Sequence, residues 1–480
     1  MVRVLLCPYI YHARDLNECS SVTEMLDWVK DWIARDDEIH VTWLVPPKSH
    51  SNWSREFLML DRDQVDVIVE RRFMQGTEYR RVDGWREDEL LNLAKAKDED
   101  LAYWDVVINQ NTYGGQYDLW RFMHEMYDVT FASGRPFYLV AHLHDFAHPS
   151  KQHGNRYPND SDPISELFSY TYADSIWVKS GADAKRAFEY ARNYLSYDLI
   201  NELDEKALYC GCAFDLDPFE REYSETPEYI HIAGTTESEK NWRKVVPICE
   251  LLYQRFDIKT IRTSMKPVED VFKEADWCET YSNATYEEYT DALERGDICF
   301  VVPDYATGGK TYFEQGASGQ VMFFLKKPWV YDQMPKDYPF VGNNMSAVRK
   351  HVLWAVKNWS EAVAAHEDAM DHFESRNDKS HVGKATLQDL KSMETDRIDT
   401  YSMGWDEEVL TKTMDYLQQD TASLTRINDV SKRFTDTGEP VLDLYTYTLT
   451  DMVLCLKSLG YPEVPAKQPQ FQTSTRECQQ

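Results

Sequence analysis

The sequence predicts an α/β protein made of two doubly wound halves in succession, followed by a helical C-terminal extension. Three observations carry this. Short apolar runs rich in valine and isoleucine alternate with stretches of helical period through the first 330 residues. The alternation breaks once, after Cys212, and then restarts; beyond residue 344 the character turns helical. Near-continuous apolar runs are what strands of a parallel sheet, covered on both faces, require.

In the first half the strands are "VRVLLCPY", "IHVTWLVP", "VDVIVE", "WDVVINQN", "PFYLVAHLH", "SIWVKS" and "ALYCGC", with helices such as "SVTEMLDWVKDWIA" and "GADAKRAFEYARNYL" between them. The break, "AFDLDPFEREYSETPEY", is acidic, holds two prolines and has no period, which reads as an interdomain linker. Alternation resumes with "YIHIAGTT", the helix "SEKNWRKVVPICELLYQRF", "IKTIRTS", "WCETYSN", the helix "YEEYTDALERGD", "ICFVVPD" and "VMFFL". Past residue 344, "SAVRKHVLWAVKNWSEAVAAHEDAMDHFESRND" reads as one long helix and "DEEVLTKTMDYLQ" as another. Residues 421 to 465 read as a small helical appendage, and the tail "PAKQPQFQTSTRECQQ" has too few apolar groups to order itself. The expected boundaries are 1–214, 215–345, a helical region 346–420 and a final 421–480.

Composition narrows the partners. With 52 basic against 82 acidic residues the net charge is −30, so a long basic face for nucleic acid is not expected and any polyanion must meet a local patch. The nine cysteines show no C-x-x-C spacing and are expected to be free thiols in a reducing compartment. The opening "MVRVLLCPYIYHARD" is too short in apolar residues for a signal peptide, and no stretch approaches the roughly 20 that a membrane span needs. A cytoplasmic location is the expectation.

Ligands of open parallel sheets bind beyond the carboxyl ends of the strands, and three such places carry chemistry. In "YIHIAGTTESEKNW", Gly234 allows close backbone approach, Thr235 and Thr236 offer hydroxyls, and Lys240 on the first turn of the next helix supplies a point charge for phosphate. The alternative is an ordinary helix start capped by Ser238. In "VVPDYATGGKTYFEQGASGQV", Gly308, Gly309, Lys310 and Thr311 form a glycine-rich turn that can cradle phosphate oxygens. Glu314 on the following helix can accept from sugar hydroxyls. It is not a P-loop, because Asp304 stands where the first glycine is required. In "YLVAHLHDFAHPSKQHGNRYP", His144 beside Asp145 at a strand end suits a base or an acceptor-orienting group. His142 and His144 could instead hold a metal for hydrolysis, or His142 could simply pack within its strand.

On these residues the chain resembles a glycosyltransferase of the GT-B fold, most similar to the large retaining family that uses nucleotide-sugar donors. The resemblance runs over residues 1 to 420 and is strongest from 229 to 325. Gly234 and Lys240 match the family's Gly-Arg…Lys-Gly segment, with Thr235 in place of the arginine. Glu314 matches the second of two glutamates eight positions apart, the one that contacts the donor ribose, and Ala306 stands where the first belongs. "HLHDFAH" resembles the family's His-Asp, and "YSMGWDEEVLTKTMDYL" the start of the helix that crosses back to the first domain. A glycine-rich loop after the first strand is missing.

The resemblance implies two Rossmann-like domains facing a cleft, no cofactor or metal, and a donor linked to UDP. It implies that Lys240, Lys310 and the glycine amides stabilise the leaving diphosphate while His144 and Asp145 serve the incoming hydroxyl. For the acceptor, Arg71, Arg72, Arg80 and Arg81 among aromatic residues in "VERRFMQGTEYRRVDGWR", with Lys151 and Arg156, suit phosphate contacts, or else pair with neighbouring acids. Bacteriophage enzymes that glycosylate hydroxymethylated pyrimidines in DNA are similar in layout, so DNA modification heads the acceptor classes, ahead of a soluble glycan or small molecule. A sugar-nucleotide epimerase, an inactive binding relative and a metal-dependent hydrolase are the competing classes.

Overall fold

Two all-parallel sheets follow one another along the chain, each where a set of apolar runs predicts it. The computed structural model describes residues 1–10, 15–49, 51–69, 93, 103–110, 119–120, 137–143, 170–192, 195–219, 221–234, 241–303 and 309–393. The first sheet holds β1 (Val2–Cys7), β2 (Ile39–Val45), β3 (Val65–Val69), β4 (Val106–Asn109), β5 (Tyr138–Leu143), β6 (Ser175–Val178) and β7 (Ala207–Tyr209), in the order 3-2-1-4-5-6-7. The second holds β8 (Tyr229–Ile232), β9 (Lys259–Ser264), β10 (Cys278–Ser282), β11 (Ile298–Val301), β12 (Val321–Leu325) and β13 (Val341–Gly342), in the order 10-9-8-11-12-13. Central strands such as "VVIN", "SIWV" and "ICFV" are buried at every position, which is why they read as unbroken apolar runs.

In each sheet the order reverses once, between β1 and β4 and between β8 and β11. At such a switch point the connections leave in opposite directions and open a crevice past the strand ends. The crevices lie beyond Cys7 and Asn109 in the first half and beyond Ile232 and Val301 in the second.

The helices are α1 (Ser20–Arg35), α2 (Gly181–Ala191), α3 (Tyr197–Glu205), α4 (Trp242–Phe256), α5 (Tyr286–Arg295), α6 (Lys310–Ala317), α7 (Met345–Lys357), α8 (Trp359–Asn377) and α9 (Lys379–Met393). Three expectations change. The single long helix from 346 is two helices, because Asn358 turns its side-chain amide onto the carbonyl of Trp354 at 2.8 Å and ends the first of them. Helix α4 begins at Trp242 behind Asn241, later than the expected start; Ser238 and Lys240 lie outside the described residues. The helix found returning to the first half is α9, upstream of the stretch 401–417 expected to do so; that stretch, the appendage and the tail lie outside the described residues.

Helix α9 docks on α1 through a tryptophan cluster. Trp32 donates from its indole to the Gly383 carbonyl at 3.1 Å and the Thr386 hydroxyl at 3.0 Å, and Trp177 donates to Asp389 at 2.7 Å. Gly383 is required here, since a Cβ would stand 2.2 Å from an Asp31 carboxylate oxygen. Gly383→Val is therefore expected to destabilise the fold by about 1–3 kcal/mol through overpacking, read as a lowered Tm, whereas Lys384→Ala beside it should leave Tm unchanged.

The chain passes between the halves twice, and the two passages bond to each other. The Phe214 amide donates to the Asn377 carbonyl at 3.0 Å and the Lys379 amide to the Phe214 carbonyl at 2.9 Å. The segment read as a linker is thus anchored: Phe214 packs against Phe313 and Phe373, Arg221 pairs with Asp371 and Glu374, and Tyr223 bonds His366. Seven cysteines fall among the described residues and none of them is in a disulfide; Cys210 and Cys212 lie just past β7, buried, rather than within a strand. No helix among the described residues is long and apolar enough to cross a membrane.

Candidate active site

At the end of β8 the backbone is opened deliberately. Gly234 has φ +101, a conformation that suits glycine, and among the described residues nothing lies within 4 Å of where a Cβ would point. Its carbonyl accepts from the Arg262 guanidinium at 2.9 Å, and the same group donates to the carbonyls of Ile232 at 3.2 Å and Thr263 at 2.7 Å. Arg262 is fully buried and paired with Glu269 at 3.1 Å, so a cation inside the sheet pins the turn from beneath.

The end of β11 is tied to the same place. Asn241, at the cap of α4, donates to the Val302 carbonyl at 2.8 Å. A small pocket lined by Ile232, Ala233, Trp242, Arg262, Val302 and Tyr312 lies where the two strand ends and α6 meet. Helix α6 starts behind Gly309, whose lack of a side chain leaves its first turn with no side-chain cap. The Tyr312 amide turns back to the Gly309 carbonyl at 3.0 Å, and this start is the positive end of the helix.

Lys310 opens α6 and reaches into the other half, where its ammonium meets Asp27 of α1 at 2.5 Å. Burial alone would lower the lysine's pKa, but the carboxylates of Asp27 and Glu314 outweigh it and hold it above its usual value. Asp27 is pushed up by burial, against the pull of Lys310 and Lys30. One turn along α6, Glu314 accepts from the Tyr289 phenol at 2.7 Å. Burial raises the Glu314 pKa while Lys310 and the phenol oppose the shift. Tyr289 is delivered by α5, whose start is fixed by a capping box between Thr285 and Glu288. Thr311 lies against the same phenol.

Polar side chains gather at the strand ends of the first half. Gln110 accepts from the Tyr9 amide at 3.0 Å and meets His142 Nδ1 at 2.8 Å. His142 stands edge-on to Trp28, 4.5 Å between centroids, with Glu24 at 3.5 Å; Glu24 pairs with Lys179 at 2.6 Å. His142 is fully buried within its strand, and His144, the other member of the metal alternative, lies outside the described residues.

Of the residues singled out in the sequence, Gly234 stands just past β8, and Gly309, Lys310, Thr311 and Glu314 stand at and along the start of α6, the helix after β11; β8 and β11 flank the second switch point. Thr235, Thr236, Lys240, Gly308, His144, Asp145, Arg71, Arg72, Arg80, Arg81, Lys151, Arg156 and the anomalous Ala306 lie outside the described residues. Sequence reasoning missed Asp27, Tyr289 and Arg262. For Asp27 a signal existed: Glu24, Asp27 and Asp31 recur at helical spacing on the buried side of α1, among Trp28 and Trp32.

No family model matches the chain, and no curated protein does. Solved structures do. HepE of Anabaena, solved with UDP and glucose, superposes with a TM-score of 0.56 at 11% identity over 82% of this chain and 100% of its own. Sucrose-phosphate synthase of Thermosynechococcus elongatus gives 0.56 at 11% over 82% and 99%. A glycosyltransferase of Rickettsia africae gives 0.53 at 12% over 82% and 98%. With its two parallel sheets, each reversing order once, and a C-terminal helix returning to the first, this chain has the GT-B glycosyltransferase fold.

Proposed function

We propose that the chain transfers a sugar from a UDP-linked donor to a hydroxyl acceptor, with retention at the anomeric carbon. The carrying observation is the cluster at the second switch point: a helix start with no side-chain cap, a half-buried lysine that opens it and a half-buried carboxylate one turn on. The bond that breaks joins the anomeric carbon to a diphosphate, so negative charge grows on the leaving oxygens. Lys310 and the first-turn amides of α6 are the groups to stabilise it. Glu314 accepts from the donor ribose, and Gly234 lets the backbone approach the diphosphate, with Thr235, Thr236, Lys240 and Gly308 completing the donor side. HepE was solved with UDP-glucose, which favours uridine and a hexose here.

In this reading residues 1–214 receive the acceptor, with His144 and Asp145 at its hydroxyl, and residues 215–345 hold the donor. A hydroxymethylated pyrimidine in DNA remains the finer proposal for the acceptor, resting on the arginine-rich stretch 69–86 and on Lys151 and Arg156.

The test is a thermal-shift series with UDP, UDP-glucose, GDP and dTDP, followed by assay of donor hydrolysis. At a hundredfold excess over Kd a ligand adds about 2.7 kcal/mol to the native state, so UDP and UDP-glucose should raise Tm by several degrees. No response to any of the four sinks the proposal. Tyr289 holds Glu314 in place, so Tyr289→Phe should raise the donor KM about tenfold while leaving kcat within a few-fold. The preference for UDP over 2′-deoxy-UDP should shrink in the same variant.

A further inference from the structure

Lys310 has a counter-ion already, and it comes from the other half of the fold. Asp27 sits mid-helix on α1, its side chain only 3% exposed, and its Oδ2 takes the Lys310 ammonium at 2.5 Å. Its other oxygen faces Lys30 at 3.6 Å, and Lys30 is held at 2.6 Å by Asp215. Asp215 is shared with Lys379 at 2.7 Å, and Lys379 also pairs with Asp217. The charges therefore alternate along a chain from α6, through α1, to the double passage between the halves.

We propose that Asp27 is a positioning residue that stands in for the donor's diphosphate: Lys310 exchanges Asp27 for phosphate oxygens on binding, and Lys30 takes over the released carboxylate. This rests on the donor reading above. An ammonium is a compact point charge on a flexible stem, so it changes partner by rotation about its own side chain. The carboxylate it leaves is too buried to stand alone, and Lys30 is the cation within reach. Because Asp27 and Lys310 belong to different halves, the exchange also releases one of the ties between them. In the unliganded protein the pair keeps Lys310 charged and aimed at the crevice.

Calorimetric titration of the full chain with UDP, and with uridine as a phosphate-free control, tests this in two variants whose effects run in opposite directions. Asp27→Asn keeps an acceptor for Lys310 but removes the competing charge, so UDP should bind about tenfold more tightly. Lys30→Met removes the cation that receives Asp27, so UDP should bind about tenfold more weakly although Lys30 is not a donor contact. Lys30 is 35% exposed against 3% for Asp27, so its replacement is expected to disturb the fold less than Asp27→Asn. Uridine affinity should not move in either. UDP affinity that is unchanged, or that falls in both variants, overturns the exchange while leaving the donor reading standing. Absence of UDP binding to the unaltered chain overturns both.

Discussion

Lys310→Ala is expected to lower kcat about a hundred- to a thousandfold, the loss typical of deleting one group that stabilises a developing oxyanion. The same substitution leaves Asp27 buried with only Lys30, at 3.6 Å, to balance it. Breaking a buried ion pair from one side costs about 3–5 kcal/mol, so Tm should also fall. A low rate could then come from a damaged fold, and the double variant separates the two causes. Asp27→Asn combined with Lys310→Ala removes both charges together, so Tm should recover most of the loss while kcat stays as low as in the single variant. Lys310→Arg retains a cation at the helix start and should keep more activity than alanine, though less than lysine, because a planar fork replaces a point charge. A single alanine variant that turns over within tenfold of the unaltered chain, with any nucleotide-sugar donor, removes Lys310 from the chemistry.

The parts of this molecule legible in its sequence are those decided by neighbours in the chain. Strands β4, β6 and β11 announce themselves because both of their faces are covered, and the turn into α6 because strand, glycines and helix start are contiguous. What sequence reading loses is long-range. The place of Asp27 among Trp28 and Trp32 hints at burial, but its partner lies 283 residues away and cannot be read from the helix. Arg262 reads as one residue of a strand, and only the structure shows that it grips the carbonyls of three others. Helix α9 escaped notice because its buried face, Val382, Gly383, Thr386, Leu387 and Leu390, mixes glycine and threonine with aliphatics and so shows little apolar period. The split at Asn358 was readable, as asparagine competes with helical backbone bonding, but the flanking apolar period masks it.

Two buried histidines should make the fold acid-labile well above the range where carboxylates titrate. His231 lies in β8, bonded to Thr263 at 2.8 Å and Gln320 at 3.2 Å, and His366 in α8 is bonded to Tyr223 at 3.0 Å. Burial, with a nearby arginine adding to it, lowers each to about 3. Both are thus neutral in the native state while the unfolded chain takes up their protons below about pH 6.5. Stability falls as pH drops through that window, by about 1.4 kcal/mol per unit for each histidine and about twice that for the pair. Asp27, Asp297 and Glu314, whose pKa values are raised by burial, act in the opposite sense, because the native state takes up their protons before the unfolded chain does. Proton uptake on urea unfolding at pH 5, measured in weakly buffered solution, isolates the histidines by difference: His231→Gln and His366→Gln should each take up about one proton fewer than the unaltered chain. Equal uptake by all three would mean that these imidazoles are already charged inside the fold, against a buried environment that holds Arg262 beside one and Arg221 beside the other.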